Sequence, residues 1–205
     1  MNNINNQLIN LEEARNILKF AKRIYRFLDG VEIEYGDAFA YYPNELIITI
    51  PEEFDDVEQG MNILKHVNEE FNATFEYNLR EMSIQALCHE MGHHMDFEGK
   101  YMTNRLEDYM LADHANRKIY DNYCKGFGNK VRDYFDRLEA YEAYEEVDED
   151  IELALENERI ELQFEDEEID KLYRLIPTEY AADEFSARFF MTYLRAYKRC
   201  NYELY

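Results

Sequence analysis

Between residues 8 and 28 the apolar side chains Leu8, Leu11, Ala14, Ile17, Leu18, Ala21, Ile24, Tyr25 and Leu28 recur at helical spacing among charged ones. This predicts an amphipathic first helix that ends near Asp29 and Gly30. The period then changes. Val31 to Tyr35 alternates apolar with polar residues, Gly36 and Asp37 supply a turn, Ala38 to Tyr42 returns, and Leu46 to Ile50 is a β-branched run that stops at Pro51. A small antiparallel sheet of two or three strands is expected from these segments. Helical spacing resumes over residues 57 to 72, which include His66, and again from about Leu79 to Phe97, where Ile84, Leu87, Cys88, Met91 and Met95 mark one apolar face.

From Tyr101 onward the pattern is helical almost throughout. Asn104 with Glu107 reads as a capping box for a helix reaching about Lys125, and Gly126-Phe127-Gly128 is expected to break it. Residues 133 to 170 keep an apolar period through Leu138, Tyr141, Tyr144, Leu153, Leu155, Ile160 and Leu162, so they predict helices with solvated acidic faces, not a disordered tail. Pro177 stands where a last helix can begin. The fold class is therefore α+β, mostly helical, with no internal repeat and no Gly/Ser-rich linker.

Charge narrows the functions available. With 45 acidic against 22 basic side chains the formal net charge is −23, which argues against nucleic acid or an anionic membrane as partner because both would be repelled. Residues 133 to 170 hold eighteen of the acidic groups against Arg137 and Arg159, a net of −16. A basic substrate or partner stays open beside the plainer reading, a soluble surface. Cys88, Cys124 and Cys200 are odd in number and far apart, which suits a reducing compartment. The stretch Met1 to Gln7 has no basic region followed by an apolar run, and no segment approaches transmembrane length, so a cytoplasmic protein is expected. The 205 residues are enough for one domain with a sizeable core.

The chemistry gathers at His89-Glu90-Met91-Gly92-His93. On a helix, residues four apart share a face, so His89 and His93 can present imidazole nitrogens to one Zn(2+) ion. Glu90 is one step round, beside the ion, where a carboxylate can take a proton from a water. Asp96 lies three residues past His93, where it can orient a side chain or end the helix, and His94 points about 100° away. Two histidines and a water leave tetrahedral zinc one protein ligand short. The best third donor is in Pro177-Thr178-Glu179-Tyr180-Ala181-Ala182-Asp183: Glu179 can reach the metal while Asp183, four residues on, accepts a hydrogen bond from the far nitrogen of a ligating histidine. Ala181, Ala182, Phe185, Ala187 and Phe189 would pack beside the metal helix, their small members allowing close approach. Candidate donors to a transition-state oxyanion are Tyr173, His114 and Tyr180.

A His-Glu-x-x-His helix followed by Glu-x-x-x-Asp on a later helix resembles the gluzincin zinc peptidases. The fuller pattern, His-Glu-x-Gly-His-x-x-Asp with a later Glu-Tyr-x-Ala-Asp-x-Phe, is similar to the peptidase domain of anthrax lethal factor and its relatives and to the IrrE/ImmA peptidases. The resemblance implies a zincin-like fold in a single catalytic domain over 1–205, with a sheet and metal-helix lobe at 1–100, an acidic helical insertion at 101–176 and a third-ligand helix at 177–205. It implies zinc held by His89, His93 and Glu179, with Glu90 as base and Asp183 behind a ligand. The expected function is a zinc-dependent endopeptidase acting on a protein or peptide substrate. A catalytically inactive zinc-binding interaction module is one alternative. An acidic DNA mimic that occupies a nucleic-acid-binding partner is the other. The sequence does not fix the oligomeric state.

Overall fold

A computed structural model describes residues 7–55, 57–100, 106–142 and 149–195. The elements run in the order α1 (Leu11–Ile24), a 3-10 turn (Arg26–Gly30), β1 (Glu32–Tyr35), β2 (Ala40–Tyr42), β3 (Ile47–Ile50), α2 (Val57–Glu70), α3 (Leu79–Lys100), α4 (Leu106–Glu142), α5 (Glu149–Arg174) and α6 (Pro177–Phe189), and α6 continues into a π-helical turn (Phe190–Leu194). The chain is mostly helical with one small sheet. Two compact units emerge, one from Met1–Leu106 with Tyr180–Tyr205, the other from Glu107–Glu179. No helix among the described residues is long and apolar enough to cross a membrane.

In the first unit α1 starts at Asn10, whose side chain accepts from the Glu13 N–H while the Glu13 carboxylate accepts from the Asn10 N–H. Its apolar stripe buries Ala14, Ile17, Leu18 and Ala21. The helix is shorter than the period predicts, because Tyr25 leaves the helical region and the chain tightens into the 3-10 turn that buries Leu28.

The sheet departs from the antiparallel expectation: its strand order is β1-β3-β2, with β1 parallel and β2 antiparallel to β3. Ile33 pairs with Ile48, and Tyr41 pairs with Ile48 from the other side. Hydrophobicity explains the order. β3 carries Ile48 and Ile50, both fully buried, each stabilising by about 1.5–3 kcal/mol. β1 spaces Ile33 between Glu32 and Glu34, which suits an edge. The turn between β2 and β3 places Leu46 at φ 57, the left-handed region.

α2 closes at Asn72 with φ 50, a conformation that asparagine tolerates better than most residues. α3 then runs without a break to Lys100, so Asp96 is buried inside the helix and does not end it. Met82, Ile84, Leu87, Cys88 and Met91 join the core with Leu64 and Val67 of α2 and Ala187, Phe189 and Phe190 from the chain's end. Cys88 is a buried free thiol within that core.

The second unit is built on α4 and α5, joined side chain to side chain by Lys130–Glu165, Arg137–Glu158 and the Tyr120–Tyr173 ring contact, which fixes the two helices antiparallel. Gly126 and Gly128 do not break α4, which continues through them for 37 residues. Each glycine costs only about 1 kcal/mol relative to alanine, and a helix held by a seam on both sides absorbs that. Among the covered positions one series in α4 is Asp113, Arg117, Tyr120, Cys124, Phe127, Val131, Tyr134, Leu138 and Tyr141, and one in α5 is Leu155, Glu158, Leu162, Glu165, Ile169 and Leu172, while Asn116, Asp170, Tyr173 and Arg174 are covered beside them. Both series step alternately by three and four, the period of a coiled-coil seam. Asn104 and Tyr144 lie outside the described residues, as does Cys200.

Candidate metal centre

α3 carries the cluster. One ligand-capable atom from each of His89, Glu90 and His93 lies within 4.8 Å of the others. His89 and His93 stand one turn apart with ring centroids 4.6 Å apart and planes nearly perpendicular. His89 and Glu90 are buried and His93 is half-buried. A small group of polar side chains is thus held at a core edge, where water competes weakly with a bound ion.

α6 supplies the support. Asp183, 1% exposed, meets His89 at 2.7 Å between Oδ1 and Nδ1. With Nδ1–H donating to that carboxylate, His89 is fixed as the tautomer whose Nε2 carries the lone pair, the form a metal ligand needs. The Gln85 amide reaches the Ser186 hydroxyl at 3.5 Å, a second polar tie between the same helices. Their close approach depends on Gly92, for a Cβ there would lie 2.7 Å from Ala182 Cα and 2.8 Å from its carbonyl oxygen. The expected contact of a small residue of α6 with the metal helix is present at Ala182.

Glu179 is one turn before Asp183 on the same face of α6 and is 2% exposed. It belongs to the first turn of α6, which lies in the second unit. There Arg117 Nη2 donates to Glu179 Oε1 at 3.2 Å and to the Thr178 hydroxyl at 2.5 Å, while Arg117 Nε donates to Asp113 Oδ2 at 2.9 Å. Asp113 Oδ1 accepts from the Thr178 N–H at 3.2 Å and from its hydroxyl at 2.9 Å, capping the start of α6. Burial pulls the Arg117 pKa down, but its hydrogen bond to Asp113 and the charges of Asp113 and Glu179 outweigh it, so the net shift is upward. The reading of the sequence missed this pair. The only signal was two charged residues at seam positions of α4.

His94 is buried and held on both sides, its Nε2 2.7 Å from the Phe27 carbonyl and its Nδ1 2.6 Å from the Tyr41 hydroxyl. The carbonyl can only accept, so Nε2 carries the proton and Nδ1 accepts from Tyr41. Burial, then the charge of Glu98, push the Tyr41 pKa up to about 12. His94 therefore ties α3 to the 3-10 turn and β2. Tyr180 packs on Phe71 with centroids 5.2 Å apart, and burial and Glu70 raise its pKa. Tyr173 packs on Tyr120 at 5.2 Å with the Arg174 guanidinium over its ring, and His114 is exposed on α4. His66 is half-buried on α2.

Two imidazoles with buried carboxylates nearby are the donor chemistry that zinc accepts, and the Asp183 bond leaves His89 the correct nitrogen for it. Compared with known protein families, curated proteins and solved structures, the chain matches none.

Proposed function

We propose that the chain is a zinc-dependent endopeptidase of gluzincin type, built on a zincin-like arrangement of the small sheet, α2, α3 and α6. The observation that carries the reading is the His89–Asp183 bond at 2.7 Å, which joins a His-Glu-x-x-His helix to the helix bearing Glu179. A free surface histidine has no need of a buried carboxylate behind it, whereas a ligating one does. His89, His93 and Glu179 are the assigned ligands. When bound, zinc supplies Lewis acidity, polarising a scissile carbonyl and acidifying a water.

The chain's own groups do the rest. Glu90, buried beside both imidazoles, takes the proton of the attacking water and delivers it to the leaving amine nitrogen. Asp183 holds His89 in the ligating tautomer throughout. Burial of Glu90 excludes bulk water and strengthens its interaction with the reacting centre.

The test is metal content by mass spectrometry together with cleavage of labelled protein substrates. About one zinc per chain is expected in the wild type and in Glu90→Gln, and little in His93→Ala and Glu179→Ala. Glu90→Gln should retain metal without turnover. Wild-type protein that takes up no zinc when it is supplied, or a Glu90→Gln variant as active as wild type, would overturn the proposal. The first outcome would turn attention to the acidic second unit as an interaction module.

A further inference from the structure

The base of the α4 seam is unlike the rest of it. From Tyr120 to Tyr141 the covered positions of α4 are aromatic, aliphatic or thiol, but those before them are polar: Asn116 beside the two seam steps Asp113 and Arg117. Instead of packing apolar surface, these two steps grip the first turn of α6. Arg117 makes three hydrogen bonds, to Asp113, Thr178 and Glu179, and Asp113 makes two more to Thr178. The Glu179 side chain they hold is 3% exposed, whereas the Arg117 side chain is 42% exposed. The Arg117 guanidinium thus meets a deeply placed carboxylate within the second unit, 3.2 Å from Glu179 Oε1.

We propose that Arg117, braced by Asp113, is the positioning residue for the third metal ligand, holding Glu179 by Oε1. This rests on the reading of Glu179 as a ligand. The fork of a guanidinium suits the task, since Nε fixes the arginine on Asp113 while Nη2 reaches Thr178 and Glu179. A lysine would present one point charge and could not satisfy all three acceptors with the same geometry.

The experiment is a zinc titration of the full chain against a chromophoric chelator, made with wild type, Arg117→Ala, Arg117→Lys and Glu179→Gln. The visible absorption of the cobalt-substituted forms is recorded in parallel, because it reports the ligand set directly. Arg117→Ala is expected to bind zinc about 10–100-fold more weakly, the range seen when a group behind a ligand is lost, with an altered cobalt spectrum. Arg117→Lys should fall between it and wild type. The partial exposure of Arg117 favours a folded variant, which circular dichroism checks, and Arg117→Lys keeps the charge if the alanine variant does not fold.

Zinc affinity in both Arg117 variants equal to or tighter than wild type, while Glu179→Gln is impaired, would overturn the positioning role and leave Glu179 a ligand. Unchanged zinc affinity and cobalt spectrum in Glu179→Gln would instead overturn the ligand reading on which the inference rests. The two failures are therefore distinguishable.

Discussion

At the scale of single residues, Gly92 decides how closely α3 and α6 approach. A methyl group there would meet the Ala182 backbone at 2.7 Å, and backbone cannot rotate away as a side chain can. Gly92→Ala gains about 1 kcal/mol of helix propensity but incurs about 1–3 kcal/mol of overpacking. The expected result is a net loss of stability in urea denaturation, together with weaker zinc binding as Asp183 is pushed from His89. Tyr41 gives a second test. Its hydroxyl donates to His94 and its pKa is pushed up to about 12, so the folded state keeps the phenol proton where an unfolded chain, near 10, would release it. The resulting stability is fully present below about pH 10 and is lost as pH rises toward 12. Tyr41→Phe should be less stable at neutral pH by about 1 kcal/mol and should show a shallower alkaline decline in melting temperature. Tyr120, also pushed up to about 12, keeps part of that decline in the variant. His89, Glu90 and His93 were legible because a four-residue step on a helix fixes their common face whatever surrounds them. Gly92 was quoted with them, but its meaning was not visible, since it depends on a residue ninety positions later in the chain.

At the scale of elements, the clearest departure is that α4 continues through Gly126 and Gly128. A Cβ at either would meet nothing within 4 Å, so alanine adds no clash. Gly126→Ala and Gly128→Ala should each stabilise the second unit by about 1 kcal/mol, and the double variant should slow amide exchange along α4. A loss of stability would mean that the helix needs those glycines for a bend. The glycines looked like a break because local punctuation was weighed without a partner helix. The seam itself was written in the sequence with a step of three and four, but tyrosines, Cys124, Glu158 and Glu165 occupy many of its places. Counting only aliphatic residues hides such a pattern. In the sheet, the strands were readable from β-branching and alternation, whereas their order was not. Which strand takes the centre depends on burial on both flanks, and β3 wins it through Ile48 and Ile50.

At the scale of the whole molecule, charge is the dominant long-range term. The chain carries 45 acidic and 22 basic side chains, and residues 133 to 170 hold eighteen acidic groups against two basic ones. Salt acts on this in two opposing ways. It weakens the exposed pairs Lys130–Glu165, Arg137–Glu158 and Arg159–Glu156, but solvent already screens each of them so that little stability rides on them. It also screens the repulsion among many carboxylates, over a Debye length that shrinks from about 30 Å at about 0.01 M to about 8 Å at about 0.15 M. Carboxylates on successive turns of α5 lie well inside the longer of these lengths and close to the shorter. The repulsive pairs far outnumber the attractive ones, so screening should win. The melting temperature is expected to rise with added sodium chloride over that range, with the larger share of the gain in the second unit, read by amide exchange along α4 and α5. A fall in melting temperature over the same range would mean that the cross-helix ion pairs outweigh the self-repulsion of the acidic faces.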